Sequence, residues 1–284
     1  MKYLRMIPLL AILALAVVPA ATAQIANVPN YGVSNTLSLN WSGYAVNITG
    51  VTSVSGTFTV PKVSGPSSVD GSPTDVSVWV GIDGYSTGTV EQTGISGSYG
   101  ASGATYYAWW EMYPRVSMTI HSMTVSAGDS ITASVVYNGG GSFTLSIADN
   151  TNGQSFSTTV SAPVNGPDAA QRGSAEWVVE RAATISNGYL TILPLATFDS
   201  ATFTHASFAT TAGPSTLQDA VASYPACGPS PSFAPCYDQM TMVSVNSDGS
   251  LTNLVSVTTA SSNSFTVSWL ANGSPLSIPG VYRR

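Results

Sequence analysis

Four glutamates, Glu91, Glu111, Glu176 and Glu180, are the chain's whole supply of that residue in 284 positions. Two of them fall in one stretch, GSAEWVVERA (Gly173 to Ala182), whose Trp177, Val178 and Val179 read as a buried β-strand. Side chains alternate along a strand, so Glu176, Val178 and Glu180 share one face and Trp177, Val179 and Arg181 the other. A carboxylate taken out of water is costly unless it is paired or put to use. Either that face is solvated, or it carries groups for acid–base chemistry. A second stretch, YYAWWEMYP (Tyr106 to Pro114), sets Tyr107, Trp109, Glu111 and Tyr113 on one face and Tyr106, Ala108, Trp110 and Met112 on the other. The second set reads as core. The first mixes rings with a carboxylate, which is the make-up of a substrate groove.

Other chemistries fit less well. GYSTG (Gly84 to Gly88) matches G-x-S-x-G, but that motif needs a strand, a sharp turn and then a helix, and here both flanks, VWVGID and TVEQTG, read as strands. The stretch is therefore expected to be a turn. His121 and His205, the only histidines, lie in alternating segments and read as hydrogen-bonded sheet residues. Nothing has metal-ligand spacing, so neither a metal nor another cofactor is expected.

The elements that must position these residues are strands. VSGTFTVP puts Val54, Phe58 and Val60 on one face, and SITASVVY, NGGG and SFTLSIAD read as strand, turn and returning strand. NTNG turns again into QSFSTTV, and YLTILPL, ATFTHASF, QMTMVSV and SFTVSWL continue the pattern. LQDAVASY (Leu217 to Tyr224) is the one short stretch that suits a helix. Ser161 to Arg172 and Thr210 to Cys236 read as loops, and residues 24–40 as a loose, polar lead-in or short pro-segment. Many short strands divided by turn signals predict an all-β sandwich or barrel, folded as a single domain.

The chain opens with Lys2 and Arg5, an apolar run from Ile7 to Val18, and Ala21-Thr22-Ala23, which together predict a signal peptide over residues 1–23. The run is shorter than the ~20 residues of a membrane span. A secreted protein is expected, with no membrane partner after cleavage. Removing Lys2 and Arg5 leaves six cations against fourteen carboxylates, a net charge of about −8. No basic patch remains for nucleic acid, and a monomer is expected. Charged residues make up only 8% of the chain, so protonating the carboxylates in acid leaves little self-repulsion, and the composition suits an acidic medium. In an exported chain Cys227 and Cys236 read as one local disulfide closing a Pro-rich loop.

Four blocks, NWSGYAV (Asn40 to Val46), SVWVGIDGYSTGTVEQTGI (Ser77 to Ile95), YYAWWEMYP and SAEWVVE, occur in an order that resembles the glutamic peptidases, or eqolisins. The likeness runs from about residue 40 to Trp269. It implies a secreted, acid-acting endopeptidase on polypeptide substrates, and a lectin-like β-sandwich of two large antiparallel sheets over residues 41–271, followed by a tail, 272–284. It also implies a catalytic pair, Gln92 of EQTG and Glu176 of AEWVVE. Trp79 and Asp83 of WVGIDG, and Glu111 and Tyr113 of WWEMYP, match further site positions of the family, and Trp109 joins them as a groove residue. The cysteine pattern is no part of the resemblance. The residues alone leave two alternatives: a glycoside hydrolase using Glu111 and Glu176, or a carbohydrate-binding sandwich without catalysis.

Overall fold

The computed structural model describes residues 24–34, 36–65, 73–163, 165–166, 168–186, 189–228 and 235–279. The expected signal peptide and residues 280–284 lie outside them. Two large sheets face one another. The first has ten strands, in the order Met118–Thr119, Gly103–Tyr113, Val90–Gly100, Thr74–Ile82, Ser174–Glu180, Trp41–Asn47, Cys236–Val245, Leu37–Ser38 and Gly32–Ser34, with Leu251–Asn253 paired to Cys236–Val245. The second has eight, in the order Ser155–Ser161, Ser142–Asp149, Ser130–Gly139, Val51–Thr59, Ser200–Thr210, Phe265–Trp269 and Val255–Val257, with Gly213–Thr216 paired to Ser200–Thr210. Pairing is antiparallel throughout both, except that Leu37–Ser38 runs parallel to Cys236–Val245. A four-stranded and a two-stranded sheet complete the described strands. The single-domain β-sandwich expected from the sequence is the fold observed.

The core lies between the two large sheets. Val54, Phe58 and Val60 meet Val76, Val78, Val80, Trp177 and Val179 from the facing sheet. Each such side chain, fully buried, contributes about 1.5–3 kcal/mol. Trp177 also joins the sheets through its indole, whose Nε1–H donates to the Ser55 carbonyl at 2.8 Å. Gly56 makes room for it, since a Cβ there would sit 2.8 Å from Trp177 Cδ1. Phe203 and Phe265 stack at 4.8 Å beside this contact.

Several expectations are corrected. Residues 24–40 are not a loose lead-in. Gln24–Ala26 pairs with Ala183–Ser186, and Val28 is fully buried. The expected tail contributes the strand Leu276–Pro279, paired to Tyr189–Ile192, because its Leu276 and Ile278 pack on an apolar patch of Val28, Ala183, Leu190 and Ile192. The expected loop Thr210 to Cys236 contains the strand Gly213–Thr216 and the helix Leu217–Ser223. Thr216 and Asp219 cap that helix reciprocally, an arrangement worth about 1 kcal/mol. His121 sits in an exposed turn rather than a strand. His205 is in a strand but exposed, with φ +54° where the pairing with Val51–Thr59 slips. Cys227 and Cys236 form a disulfide.

Candidate active site

The face of the ten-stranded sheet that points away from the core carries the site. Directly paired residues point to the same side of a sheet, and the register places Glu111, Gln92, Gly81, Glu176, Ala45 and Asp238 in one row across six strands. Gln92 and Glu176 are therefore separated by one residue, and that residue has no side chain. Strands lie about 4.8 Å apart, so the two side chains start about 10 Å apart and face a common gap. A Cβ at Gly81 would come within 2.7 Å of Trp79 Cζ3, so glycine here lets the indole lie across the floor of the gap. The next row is Trp109, Gly94, Trp79, Val178, Gly43 and Met240. Trp41 packs edge-to-face on Trp79 at 4.9 Å. Together with Trp109, Val178 and Val90 these rings make an apolar bed beside the polar row.

Gln92 is fully buried and its amide is oriented. Nε2–H donates to Glu111 Oε2 at 3.1 Å and to the backbone carbonyl of Asn27 at 3.1 Å. Glu176 is also fully buried, and neither of its oxygens makes a hydrogen bond of good geometry among the described residues. Burial holds its carboxyl well above the usual range. The Ser174 hydroxyl opposes that shift, and the negative charges of Asp83 and Glu91 add to it. Glu111 is raised in the same way, by burial first and then by Glu180.

Glu180 lies four residues along the same face, and burial pushes it up to about 8 despite several donors. Its Oε2 accepts from Trp79 Nε1 at 2.8 Å and its Oε1 from the Val28 N–H at 2.9 Å. At the other end of the row, Asp238 Oδ2 accepts from the half-buried Tyr85 hydroxyl at 2.9 Å, and burial lifts Asp238 to about 6.

Asp83 ends the strand Thr74–Ile82 with φ +71°, a conformation that Asp tolerates better than most residues. Its two oxygens accept the backbone N–H groups of Gln171, Arg172 and Gly173 at 2.7–2.8 Å. These residues lead directly into the Glu176 strand, so Asp83 sets where that strand begins. Glu91 lies on the core side of its own strand. Burial raises it well above normal, and the negative charge of Asp83 and then a hydrogen bond to Asp83 add to that shift.

The structure thus brings Gln92, Glu176, Glu111, Trp79 and Trp109 onto one face, with the half-buried Tyr113 at its rim beside Val90 and Asp83 anchoring it from behind. The solvated reading of the Glu176 face is overturned, because both its glutamates are fully buried. Sequence reasoning missed Asp238, Asn40 and the backbone of Asn27 and Val28. The alternation in YDQM could have pointed to Asp238; nothing local marks the other three.

Residues 39–269 match the Peptidase A4 family, and the chain belongs to that family. It is 34% identical over 197 residues to Aspergillopepsin-2 of Aspergillus niger, covering 63% of this chain and 68% of that protein. It is 37% identical over 146 residues to Scytalidopepsin B of Scytalidium lignicola, covering 51% and 52%. Its structure is similar to that of scytalido-glutamic peptidase with a transition state analog inhibitor, with a TM-score of 0.63 and 25% identity, covering 81% of this chain and 98% of that one. The family decides for a peptidase over the two carbohydrate-directed alternatives.

Proposed function

We propose that this protein is a secreted endopeptidase that hydrolyses polypeptides in acid, with Glu176 as general base and Gln92 as oxyanion donor. Glu176 removes a proton from a water whose oxygen attacks the scissile carbonyl carbon. The carbonyl oxygen becomes an oxyanion and is held by the Gln92 N–H. As the C–N bond breaks, the carboxylic acid of Glu176 returns its proton to the leaving amine. One oriented donor of this kind stabilises the transition state by roughly 3 kcal/mol, and an amide supplies it at any pH because it does not titrate. Glu111 accepts the second Nε2–H of Gln92 and so fixes which end of the amide faces the substrate.

The observation that carries this reading is the Gln92 amide itself. It already donates to a peptide carbonyl, at 3.1 Å, across the gap that Glu176 faces. The test is digestion of an unfolded protein at several values from pH 3 to pH 6, spanning the ordinary glutamate pKa of ~4.3 so that a carboxylate base becomes available, by the wild type and by Glu176→Gln. Peptide products from the first and none from the second are expected. Equal digestion by both rejects the assignment of the base. For secretion, the mass of the exported chain should place its N-terminus at Gln24 or later, and an exported chain that keeps Met1 rejects it.

A further inference from the structure

Among the described strands, one sheet edge is long and open. The outermost strands of the ten-stranded sheet are Met118–Thr119 and Gly32–Ser34, two and three residues long, and one edge of the eight-stranded sheet is Val255–Val257, also three. The other edge is Ser155–Ser161, seven residues. Short edges offer little to pair with, whereas long ones are normally blunted by a charge, a proline or a bulge. SFSTTVS has neither charge nor proline, and its pairing with Ser142–Asp149 runs without a slip.

The direction of its free backbone groups follows from the two ends. The Asp149 N–H donates to the Gln154 carbonyl at 2.8 Å, and the Ala162 N–H donates to the Gly141 carbonyl at 2.8 Å, so the even-numbered residues bond to Ser142–Asp149. Bonding direction alternates along a strand, so Ser155, Ser157, Thr159 and Ser161 turn their N–H and C=O groups to the open edge. The Ser161 carbonyl accepts there from Arg115 Nη1 at 2.9 Å.

The strand is complementary to itself. Laid antiparallel on a copy about a two-fold axis at Thr158, it matches along its whole length: Ser155 with Ser161, Phe156 with Val160, and Ser157 with Thr159. The edge-facing residues then meet one another as hydrogen-bonded pairs. Outward hydroxyls meet hydroxyls, which carries the ladder of Thr144–Thr159 and Ser146–Ser157 across the axis. On the other side the half-buried Phe156 and Val160 form an aromatic–β-branched pair. The segment Arg115–Thr124 runs along the same flank, held by Arg115 at one end and at the other by the Thr124 N–H, which donates to Gln154 Oε1 at 2.7 Å. It leaves Val116 and Met118 exposed by 53% and 46%, apolar surface that the same partner would cover.

We propose that Ser155–Ser161 is the interface of a homodimer, in which two copies pair edge to edge and their eight-stranded sheets become one. This dimer takes the place of the expected monomer and does not depend on the peptidase reading. The axis is perpendicular to the sheet, so the two Gln92–Glu176 faces open on the same side. The pairing consumes the open edge, so assembly closes at two copies.

The experiment is sedimentation velocity of the exported chain at pH 7 and low salt. The mass should rise toward twice the monomer's, with half-assembly at about 10–100 µM, as suits a small, transient interface. Ser157→Lys with Thr159→Lys sets like charges opposite one another on both sides of the axis and should hold the protein monomeric. Ser157→Lys with Thr159→Glu sets opposite charges there and should assemble at least about tenfold more readily than the double-lysine variant. Both side chains are exposed, so far-UV circular dichroism should be the same for all three proteins. Thr158→Cys gives a covalent readout, because the chain's own two cysteines are already joined. The axis residues form a non-hydrogen-bonded pair with Cα atoms about 4.5 Å apart, within disulfide reach. Mild oxidation should therefore cross-link two copies, and should fail to do so in the double-lysine background. A chain that stays monomeric up to about 500 µM, well above a transient Kd, and gives no cross-link overturns the proposal. So does a dimer that both charge variants leave unchanged.

Discussion

The two large sheets each turn one face inward to a shared core and one face outward, and the two outward faces are built from opposite chemistry. On the eight-stranded sheet the outward positions are mostly hydroxyls, with Val136 and Ala148 among them: Ser53, Ser55, Thr57, Thr132, Ser134, Thr144, Ser146, Ser157, Thr159, Thr202 and Thr266. They satisfy one another across strands, as in Thr57–Thr132 at 2.9 Å, Thr144–Thr159 at 2.9 Å, Ser146–Ser157 at 2.8 Å and Thr202–Thr266 at 3.0 Å. On the ten-stranded sheet the same positions hold carboxyls, an amide and indoles, wholly buried, with oxygens of Glu176, Glu111 and Gln92 left without partners. A hydroxyl ladder does not titrate and leaves little unmade. The other face accumulates buried oxygens without partners and carboxyls raised above their usual range, a pattern that lowers stability and marks candidate functional sites. Period-two alternation is identical on both faces, so it reports which residues point outward and nothing of what they are for.

The largest expected effect comes from breaking the reactive face at its base. Glu176→Gln is nearly isosteric and replaces a raised, proton-bearing carboxyl with an amide. Turnover should fall by about 10²–10⁴, with far-UV circular dichroism unchanged. Near-wild-type kcat would move the base to Glu111 or Glu180.

Gln92→Ala should follow, lowering kcat by about 10²–10³ with little change in KM, because the lost donor acts on the transition state. Gln92→Glu should be as harmful wherever the new carboxyl is ionised and should regain turnover on the acid side, where a protonated carboxyl can donate. Profiles of kcat against pH that superimpose for wild type and Gln92→Ala would make Gln92 an ordinary strand residue.

How much of this was legible in the sequence divides along the same line. Alternation located the strands and assigned Trp109 and Glu111 to the face opposite Ala108 and Met112, because burial on one side of a pleat imposes that period. It also located the hairpin Ser130–Gly139 to Ser142–Asp149, whose turn is local. It did not show that Ser174–Glu180 lies between Thr74–Ile82 and Trp41–Asn47. That order sets Glu176 one residue from Gln92, across 84 positions of chain, and no local property encodes it. The Gln92–Glu176 pair came from family resemblance. The ordered path of residues 24–40 is not legible locally either, because the pairing of Gln24–Ala26 and the burial of Val28 involve residues far along the chain and leave no periodic mark in the side chains.

A smaller effect separates the faces by pH. Carboxyls of the outward face of the ten-stranded sheet are raised above their unfolded values, Asp238 to about 6 and Glu180 to about 8, mainly by burial. A raised acid binds more protons folded than unfolded. Its contribution is fully present below the unfolded value of ~4.3 and is lost as pH rises through the folded one. Thermal midpoints should therefore be highest near pH 4 and fall progressively toward pH 8. Glu180→Gln should flatten the upper part of that slope. A midpoint that climbs from pH 4 to pH 7 would show that these acids are ionised and paired in the folded state.

The smallest effect should come from the hydroxyl face. Thr144 and Thr159 lie opposite one another on neighbouring strands and share one hydrogen bond at 2.9 Å. Replacing both with valine keeps the β-branched shape that the pleat favours and removes donor and acceptor together, so neither is left unpaired. Asn138 also donates to Thr144 Oγ1, at 2.8 Å, but it is exposed and can turn to water. Thr144→Val leaves Thr159 without this partner and should cost up to about 1 kcal/mol, Thr159→Val less because Thr144 still accepts from Asn138, and the double change about 0.5 kcal/mol or less. Neither should move kcat or KM, because the whole sandwich core lies between this face and Gln92. Chemical denaturation of the two singles and the double measures the coupling, and a peptide assay on the same samples measures the rest. A fall in kcat with stability intact would mean that the hydroxyl face takes part in turnover, and that the two outward faces are not independent.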